Sequence, residues 1–220
     1  MKSPYTIPFA IIAGGIIVAG AVYVSMPKIA TGGNPALVRP VDSTDHILGN
    51  PTAKVTIIEY ADFDCDYCKG FNETLHQIVA NEGVAGQVAW IYREFPLVEI
   101  HQNALAHARA AECVAQVAGN DMFWKFETAL FNAQPVEPAN YGVLAKSIGV
   151  SGDAFASCYA GAATSGINER IVKDRQNALD MGAQGTPYSV ILVAGKSPIV
   201  MAGGYSYDAV KQLVDGMLDK

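Results

Sequence analysis

"IIEYADFDCDYCKGF", residues 57–71, joins an apolar run to two cysteines that are separated by two residues. Residues 54–61 (KVTIIEYA) are rich in β-branched side chains and too short for a helix, which predicts a buried strand. Cys65 and Cys68 follow at the turn into a predicted helix, residues 68–83. Two cysteines at this spacing suit a redox couple, half of a zinc site or a structural bridge, so the rest of the chain must distinguish these.

The hydrophobic pattern of the remaining chain predicts the order β-α-β, a helical region, then β-β-α. The other strands are predicted at 86–96, 188–195 and 197–204, with a closing helix from Ser206. Helices between the second and third strands are predicted at 101–118, 120–134, 139–150, 151–160 and 164–182. A strand, helix and strand with a right-handed crossover, completed by a hairpin and a last helix, form one sheet flanked by helices. The sequence therefore predicts an α/β domain over 45–218 with a central mixed sheet and an inserted α-helical subdomain at about 101–182.

The N-terminal region carries an uncharged apolar segment, residues 7–24, which at about 1.5 Å per residue is long enough to cross a bilayer as a helix. Lys2 precedes it and favours a cytoplasmic N-terminus with the bulk of the chain outside. A cleaved signal segment is the alternative, but Lys28 stands where a cleavage site needs a small residue. We therefore predict one N-terminal transmembrane helix in a membrane anchor (1–26), a Pro- and Gly-containing tether (27–44), and an extracytoplasmic domain, periplasmic or at the cell surface.

The composition restricts the partners and the state of the cysteines. The chain has 220 residues, a formal net charge of −6 and no basic stretch that could neutralise phosphates, which excludes nucleic acid as a partner. Outside the cytoplasm the environment is oxidising, so the 4 cysteines can form two disulfides in any of three pairings. The short spacing makes Cys65–Cys68 the first pair and leaves Cys113 and Cys158 as the second.

A second motif, Gly185-Thr186-Pro187, stands just before the third predicted core strand. Together with the Cys-x-x-Cys at a helix start, it resembles the thioredoxin fold. The helical insertion is similar to that of the DsbA-like thiol:disulfide oxidoreductases, and so are the stretches VTIIEYADFDCDYC, REFPLVEIHQNALAHARAAECV, FWKFETALF and MGAQGTPYSVIL. The resemblance covers about residues 45–218 and implies a thioredoxin-like fold and thiol–disulfide exchange without a bound small-molecule cofactor.

The chemistry of the two close cysteines follows from their place in the chain. Disulfide transfer needs one sulfur held as a thiolate and a second sulfur close enough to resolve the mixed disulfide. Cys65 lies where the loop becomes a helix, and there free backbone N–H groups and the helix dipole lower a thiol pKa. Cys68, one turn later, is predicted to be nearly buried and to resolve the mixed disulfide. An inert structural bridge is the alternative interpretation.

Glu59 is a charged residue within an otherwise apolar predicted strand, six residues before Cys65. Burial of a carboxylate is costly unless it has a partner or a chemical role. The resemblance places Glu59 at the buried acidic position beneath the cysteine pair, where it would exchange protons with Cys68. The alternative is a solvated face of an edge strand.

Thr186 and Pro187 are assigned a role through the same resemblance. It implies a cis Thr186–Pro187 bond packed against the cysteines, with the Thr186 backbone pairing with an extended client peptide. A trans proline that opens an edge strand is compatible with the same residues.

Cys113 and Cys158 both fall within the predicted insertion. Two separately buried free thiols are a common arrangement in proteins. In an exported domain we expect a structural disulfide instead, because oxidising surroundings leave few thiols free. Some members of the similar family carry such a second bridge.

The acidic residues and histidines do not fit a calcium or a zinc site. Asp62, Asp64, Asp66 and Glu73 match four positions of a calcium-loop template, but Tyr67 replaces its essential glycine. A zinc site would need histidines beside the cysteine pair, and the histidine spacing matches no compact zinc motif. The histidines are His46, His76, His101 and His107.

The sequence thus predicts an anchored enzyme that forms disulfides in exported cysteine-containing proteins and is reoxidised by a DsbB-like or quinone-coupled membrane partner. A thiolate at Cys65 is opposed by like-charge repulsion from three nearby carboxylates, those of Asp62, Asp64 and Asp66. The positive charge of Lys69 acts in the opposite direction. A less stabilised thiolate makes a weaker oxidant. A disulfide isomerase or reductase kept reduced by a membrane donor is therefore an alternative, as is a client- or metal-binding module without turnover.

Overall fold

The secondary structure follows the predicted order of strands and helices in a computed structural model that describes residues 34–83 and 86–218. The strands are β1 (His46–Gly49), β2 (Val55–Ala61), β3 (Val88–Glu94), β4 (Tyr188–Val193) and β5 (Ile199–Ala202). The helices are α1 (Asp66–Glu82), α2 (Ala104–Ala118), α3 (Asn120–Ala133), α4 (Tyr141–Ser147), α5 (Gly152–Gly161), α6 (Gly166–Asp180) and α7 (Tyr207–Leu218). The thioredoxin-like fold with a helical insertion between β3 and β4 is confirmed.

The sheet is mixed, with the strand order β1-β3-β2-β4-β5. β2 runs parallel to β3 and antiparallel to β4, and the two outer pairs are antiparallel. β2 therefore lies at the centre, covered on both faces. This position explains its nearly continuous apolar sequence, because a strand buried on both faces does not need to alternate with polar residues.

The side chains of β2 point alternately to the two faces of the sheet. Ile57 belongs to a core shared with α1, α7 and the inserted helices, so the insertion and the sheet form one continuous apolar interior. Ile58 and Tyr60 point to the other face, where they pack against Ala178 at the end of α6. Glu59 is on the same face as Ile57 and thus lies under α1.

β1 is an element that the sequence pattern does not predict. Its four residues, HILG, pair antiparallel with the outer edge of β3, from His46 opposite Tyr92 to Gly49 opposite Ala89. A segment this short has no clear alternation of apolar and polar residues. The strand is defined by its pairing with β3 and not by its own sequence.

The described part of the predicted tether, from residue 34 onward, packs against the domain and in this differs from the prediction. The Arg39 guanidinium lies 2.8 Å from Asp45 Oδ1 and 3.0 Å from Asp174 Oδ1, both on buried carboxylates. The Arg39 N–H donates to Asn177 Oδ1 at 2.9 Å. Charge pairing with α6 thus holds a segment whose composition is typical of a linker.

The predicted anchor, residues 1–26, lies outside the described residues. Within the part of the chain that the structure describes, no helix has the length and hydrophobicity that a bilayer crossing requires.

Candidate active site

The two close cysteines lie at the beginning of α1. Cys65 is the N-cap residue of this helix, with φ −85° and ψ 118°, and its thiol is 6% exposed. Cys68, one turn into the helix, has no exposed surface. Both are free thiols in the structure. The first N–H groups of a helix lack intrahelical acceptors, so those of Tyr67 and Cys68 are available to the Cys65 sulfur.

The surroundings of Cys65 favour its thiolate. A hydrogen bond from the Cys68 thiol has the largest effect on the Cys65 pKa, and burial of the sulfur opposes it. The Thr186 side chain and the backbone N–H groups of Cys68 and Tyr67 lower the Cys65 pKa further by favouring the charged form. Together they lower the pKa of Cys65 to about 6.

The surroundings of Cys68 favour its neutral thiol. Burial is the largest cause, followed by its hydrogen bond to Cys65 and by the negative charges of Cys65 and Glu59. These effects raise the pKa of Cys68 well above its ordinary value. The pair therefore combines one sulfur that ionises readily with one that keeps its proton.

Glu59 lies beneath the pair, in the centre of the sheet, with no exposed surface. Its neighbours in the strand register are Tyr92 of β3 and Ser189 of β4, so the alternative of a solvated edge strand is wrong. Burial and the charge of Glu127 raise its pKa well above the ordinary value, although the Trp90 indole N–H acts in the opposite direction. Burial thus favours the protonated form of the Glu59 carboxyl.

The segment before β4 closes the other side of the site. The Thr186–Pro187 peptide bond is cis. The Cys65 thiol donates to the Thr186 carbonyl oxygen, with a distance of 3.5 Å between sulfur and oxygen. The backbone of Thr186 is therefore next to the more reactive sulfur, and the Pro187 carbonyl accepts a 2.8 Å hydrogen bond from the Gly203 N–H.

The aspartates around the cysteines have partners of their own. Asp62 is buried and accepts hydrogen bonds from the Asp64 N–H at 2.8 Å and the Leu97 N–H at 2.7 Å. Its carboxylate also lies 2.8 Å from His101 Nδ1. Burial of the His101 ring disfavours protonation, but the hydrogen bond and charge of Asp62 outweigh it and raise the His101 pKa. Hydrogen bonds and burial are the largest causes acting on the Cys65 pKa, and Asp66 is exposed to solvent.

His107 is a site residue whose partners the sequence does not reveal. It is buried in α2, with Nε2 at 2.9 Å from Asp64 Oδ1 and Nδ1 in hydrogen-bonding contact with the Tyr141 hydroxyl of α4. Burial, the largest cause, lowers its pKa against the effect of the Asp64 charge. His107 thus ties the active-site turn to the insertion. The spacing of 43 residues between Asp64 and His107 carries no sequence signal for this contact.

The other two cysteines lie away from the helix start, within the insertion. Cys113 of α2 and Cys158 of α5 form a disulfide with a Cα–Cα distance of 5.7 Å. Among the residues that the structure describes, no three His, Cys, Asp or Glu side chains are grouped so that they could hold a metal ion.

Comparison with known families identifies one match over most of the chain. The family model described as Thioredoxin matches residues 42–215. The match includes every residue that has been placed at the site above, from Glu59 to Pro187.

Solved structures similar to this chain include thiol–disulfide exchange proteins. BdbD from Bacillus subtilis, in its oxidised form, is 26% identical, with a TM-score of 0.68 over 83% of this chain and 97% of that one. α-DsbA1 from Wolbachia pipientis is 22% identical, with a TM-score of 0.70 over 84% and 95%. The catalytic domain of Proteus mirabilis ScsC is 19% identical, with a TM-score of 0.65 over 81% and 92%. The last two likenesses concern the fold alone.

Curated relatives by sequence include much longer proteins. The Na(+)/H(+) antiporter NhaA 1 of Mycolicibacterium gilvum is 34% identical over 99 residues, which are 44% of this chain and 15% of that protein. The Na(+)/H(+) antiporter NhaA 3 of Salinispora tropica is 31% identical over 153 residues, 69% of this chain and 22% of that protein. The chain therefore spans less than a quarter of these antiporters.

Proposed function

This chain belongs to the thioredoxin family, in its DsbA-like group of thiol:disulfide oxidoreductases, and on that premise we propose that Cys65 and Cys68 form disulfides in cysteine-containing client proteins outside the cytoplasm. One observation carries the proposal. A thiol at a helix start has a pKa lowered to about 6, and its hydrogen-bonded neighbour has a pKa raised by burial. This asymmetry distinguishes the attacked sulfur from the leaving one.

The reaction begins with the Cys65–Cys68 disulfide and a reduced client. A client thiolate attacks Cys65 Sγ, a client–Cys65 bond forms, and Cys68 leaves with the electron pair of the broken bond. Cys68 is buried and its thiolate is strongly disfavoured, so it takes up a proton, which the protonated Glu59 supplies. A mixed disulfide and a neutral Cys68 thiol remain.

A second client thiolate completes the exchange. It attacks the client sulfur of the mixed disulfide, the client disulfide forms, and Cys65 leaves as a thiolate. Two electrons have moved from the client to the cysteine pair. The N–H groups at the start of α1 stabilise the departing Cys65 thiolate, and a stabilised thiolate favours the reduced pair and thus a net oxidant.

Client recognition centres on the segment before β4. The Thr186 carbonyl, 3.5 Å from Cys65 Sγ, belongs to a backbone segment that an extended client strand can pair with beside the reacting sulfur. Tyr67, between the two cysteines, is 77% exposed, and Ile100, next to His101, is 73% exposed. Such exposed apolar side chains around a reactive group suit unfolded clients, whose apolar residues are accessible.

Turnover requires an oxidant for the reduced pair. We assign this role to a DsbB-like or quinone-coupled membrane protein, near which the N-terminal anchor would hold the domain. The whole chain in a membrane would then be reoxidised by that partner, whereas the isolated domain would need an added oxidant such as oxidised glutathione.

The direct test is oxidation of reduced, unfolded ribonuclease A in a glutathione buffer, followed by recovery of ribonuclease activity. The wild-type protein is expected to accelerate recovery, and Cys65→Ser is expected to reduce it at least about a thousandfold, to the uncatalysed rate. Turnover by Cys65→Ser at the wild-type rate would contradict the proposal. Equilibration with glutathione measures the redox potential, and a potential as low as that of a reductant would instead assign the isomerase or reductase direction.

A further inference from the structure

Buried polar side chains continue from Glu59 toward the protein surface, beyond the groups that the exchange reaction itself uses. Glu127 of α3 has no exposed surface, although it carries a carboxyl group. Its Oε2 atom lies 3.2 Å from His76 Nε2 and accepts a 3.0 Å hydrogen bond from Thr128 Oγ1. His76 is on α1, two turns after Cys68, so this contact joins the redox helix to the insertion.

Trp90 occupies the space between Glu59 and His76. Its indole N–H is close enough to lower the Glu59 pKa, without reaching the geometry of a full hydrogen bond. Its ring centroid lies 5.0 Å from that of His76, edge to face, and 4.5 Å from that of Trp124. Glu59 and His76 therefore lie next to the same indole, and Glu127 is close enough to Glu59 for its charge to affect the Glu59 pKa.

Several buried polar atoms of this cluster have no hydrogen-bond partner within the described structure. They are both carboxyl oxygens of Glu59, Oε1 of Glu127, the indole nitrogens of Trp90 and Trp124, and the Tyr92 hydroxyl. Buried polar atoms are nearly always paired in folded proteins, because an unpaired one costs about 1–3 kcal/mol. Most of these atoms therefore lie in one buried polar cluster that begins at Glu59, next to the cysteine pair.

The exchange reaction requires one proton to move between solvent and the buried Cys68 sulfur. Cys68 gains a proton when its disulfide opens and loses it when the disulfide forms again, and neither Cys68 nor Glu59 has any exposed surface. The His76 side chain is 31% exposed. It lines a surface cleft of about 380 Å³ with Lys69, Asn72, Thr128 and Phe131.

We propose that Glu127 and His76 relay the proton between Glu59 and solvent each time the Cys65–Cys68 disulfide opens or closes. When Cys68 leaves as a thiolate, Glu59 gives its proton to the sulfur and is reprotonated by Glu127. Glu127 is reprotonated by the His76 imidazolium, which then takes a proton from water. The net change is one proton moved from solvent to Cys68, with every relay group restored. The inference rests on the proposed function.

The charge states of the surrounding groups suit this direction of transfer. Burial raises the pKa of Glu127, as it does that of Glu59, and so favours the protonated form of both carboxyls. Tyr92 of β3 also faces the cluster, and burial with the nearby acids raises its pKa so far that it stays neutral. His76 is the member of the cluster with exposed side-chain surface, which places it at the solvent end.

The first experiment measures single-turnover reduction of the oxidised protein by dithiothreitol at pH 7. Glu127→Gln is expected to slow reduction about tenfold, because it keeps the side-chain volume and removes the exchangeable proton. Glu59→Gln is expected to be at least as slow. The double variant is expected to be no slower than Glu59→Gln alone, since two steps of one relay are not additive. Glu112→Gln is the matched control, since Glu112 is another buried carboxylate of the insertion, paired with Arg170, and its loss should leave the rate unchanged.

The second experiment separates proton transfer from a purely structural effect. His76→Ala is expected to slow reduction about tenfold, and added imidazole is expected to restore the rate through the surface cleft. Wild-type rates for Glu127→Gln and His76→Ala, additive losses in the double variant, or a slow His76→Ala protein without imidazole rescue would each overturn the relay. Failure of the wild-type protein to exchange thiols at all would instead overturn the proposed function.

Discussion

The two cysteine pairs of this chain make the same kind of bond in different settings. Cys65 and Cys68 lie at the start of α1, beside a cis proline segment and above a buried carboxyl. Cys113 and Cys158 lie 45 residues apart on two helices of the insertion and are bonded to each other. Both pairs are largely removed from solvent. Burial alone therefore does not decide which pair exchanges electrons.

The difference lies in the groups that face each sulfur. Cys65 has N–H and thiol donors that stabilise a negative charge, and these are the free donors of a helix start. Cys113 lies well inside α2, where the backbone N–H groups are used within the helix, and it has no exposed surface. A cysteine is made reactive by its place relative to a helix terminus and by a neighbouring thiol.

Cys68→Ser gives the largest expected effect that separates the pairs. Without a resolving thiol, the mixed disulfide at Cys65 can be opened only by a second client thiol, so clients are expected to accumulate as covalent complexes with this variant. Release of the client by attack of Cys68 on Cys65 is expected to be lost, so the complexes persist until an external thiol opens them. Non-reducing gels of protein mixed with oxidised, scrambled ribonuclease A measure the complexes, because the Cys65 thiolate attacks a client disulfide and the other client sulfur leaves as a thiolate. Cys65→Ser is the control that forms none.

A Cys68→Ser protein that turns over clients without accumulating complexes would contradict the role assigned to Cys68. It would show that Cys68 is not the thiol that resolves the mixed disulfide at Cys65.

Removal of the second pair is expected to change stability and not exchange. Cys113→Ala with Cys158→Ala opens a loop of 45 residues, and in the chain-entropy model this lowers the free energy of unfolding by about 4 kcal/mol. Chemical denaturation, followed by circular dichroism, measures the loss. The thiol-exchange rate of the folded variant should stay within about twofold of wild type, because the insertion disulfide does not contact the reacting sulfurs.

A large loss of exchange in this folded double variant would overturn the structural role of Cys113–Cys158. The two pairs would then form one redox system.

Local sequence was sufficient to predict the thioredoxin-like fold and the position of Cys65 and Cys68 at a helix start. The strand ending before Cys65, the helix beginning at it and the Thr186-Pro187 motif are each recognisable within a few residues, because they depend on local periodicity and turn chemistry. The pairing of β1 with β3 was missed because it depends on a partner strand. The docking of Arg39 onto Asp45 and Asp174 was missed for the same reason, since one of its acids is 135 residues away.

The partners of the aspartates are the part of the site that local sequence does not reveal. Three aspartates near Cys65 predicted a repelled thiolate, whereas Asp62 and Asp64 meet His101 and His107 in space. These contacts span about forty residues of chain, and no spacing rule connects them. The number of charged residues near Cys65 in the sequence therefore does not give the electrostatic potential at its sulfur. Burial and partners from distant elements also determine that potential.

The smallest expected effect is on the pH dependence of alkylation, which compares Cys65 with Cys113 as single thiols. In the reduced wild-type protein, the rate at which iodoacetamide modifies Cys65 is expected to rise about tenfold between pH 5 and 7 and then level off, because its pKa is about 6. Cys113 in a Cys158→Ala variant is the control. It should react slowly, with a rate that still rises above pH 8 as for an ordinary thiol.

The lowered pKa of Cys65 also makes the stability of the reduced protein depend on pH. A thiol whose pKa is about 6 in the folded protein and 9.0 ordinarily stabilises the folded reduced form fully above pH 9, and this contribution is lost as pH falls through 6. The reduced protein should therefore lose this one contribution to its stability, relative to the disulfide form, as pH falls from 9 to 6. Cys68→Ala should raise the midpoint of alkylation, because the Cys68 hydrogen bond has the largest effect on the Cys65 pKa. An unchanged midpoint would show that the Cys68 thiol does not lower the Cys65 pKa, and the N–H groups at the helix start would then account for the lowering.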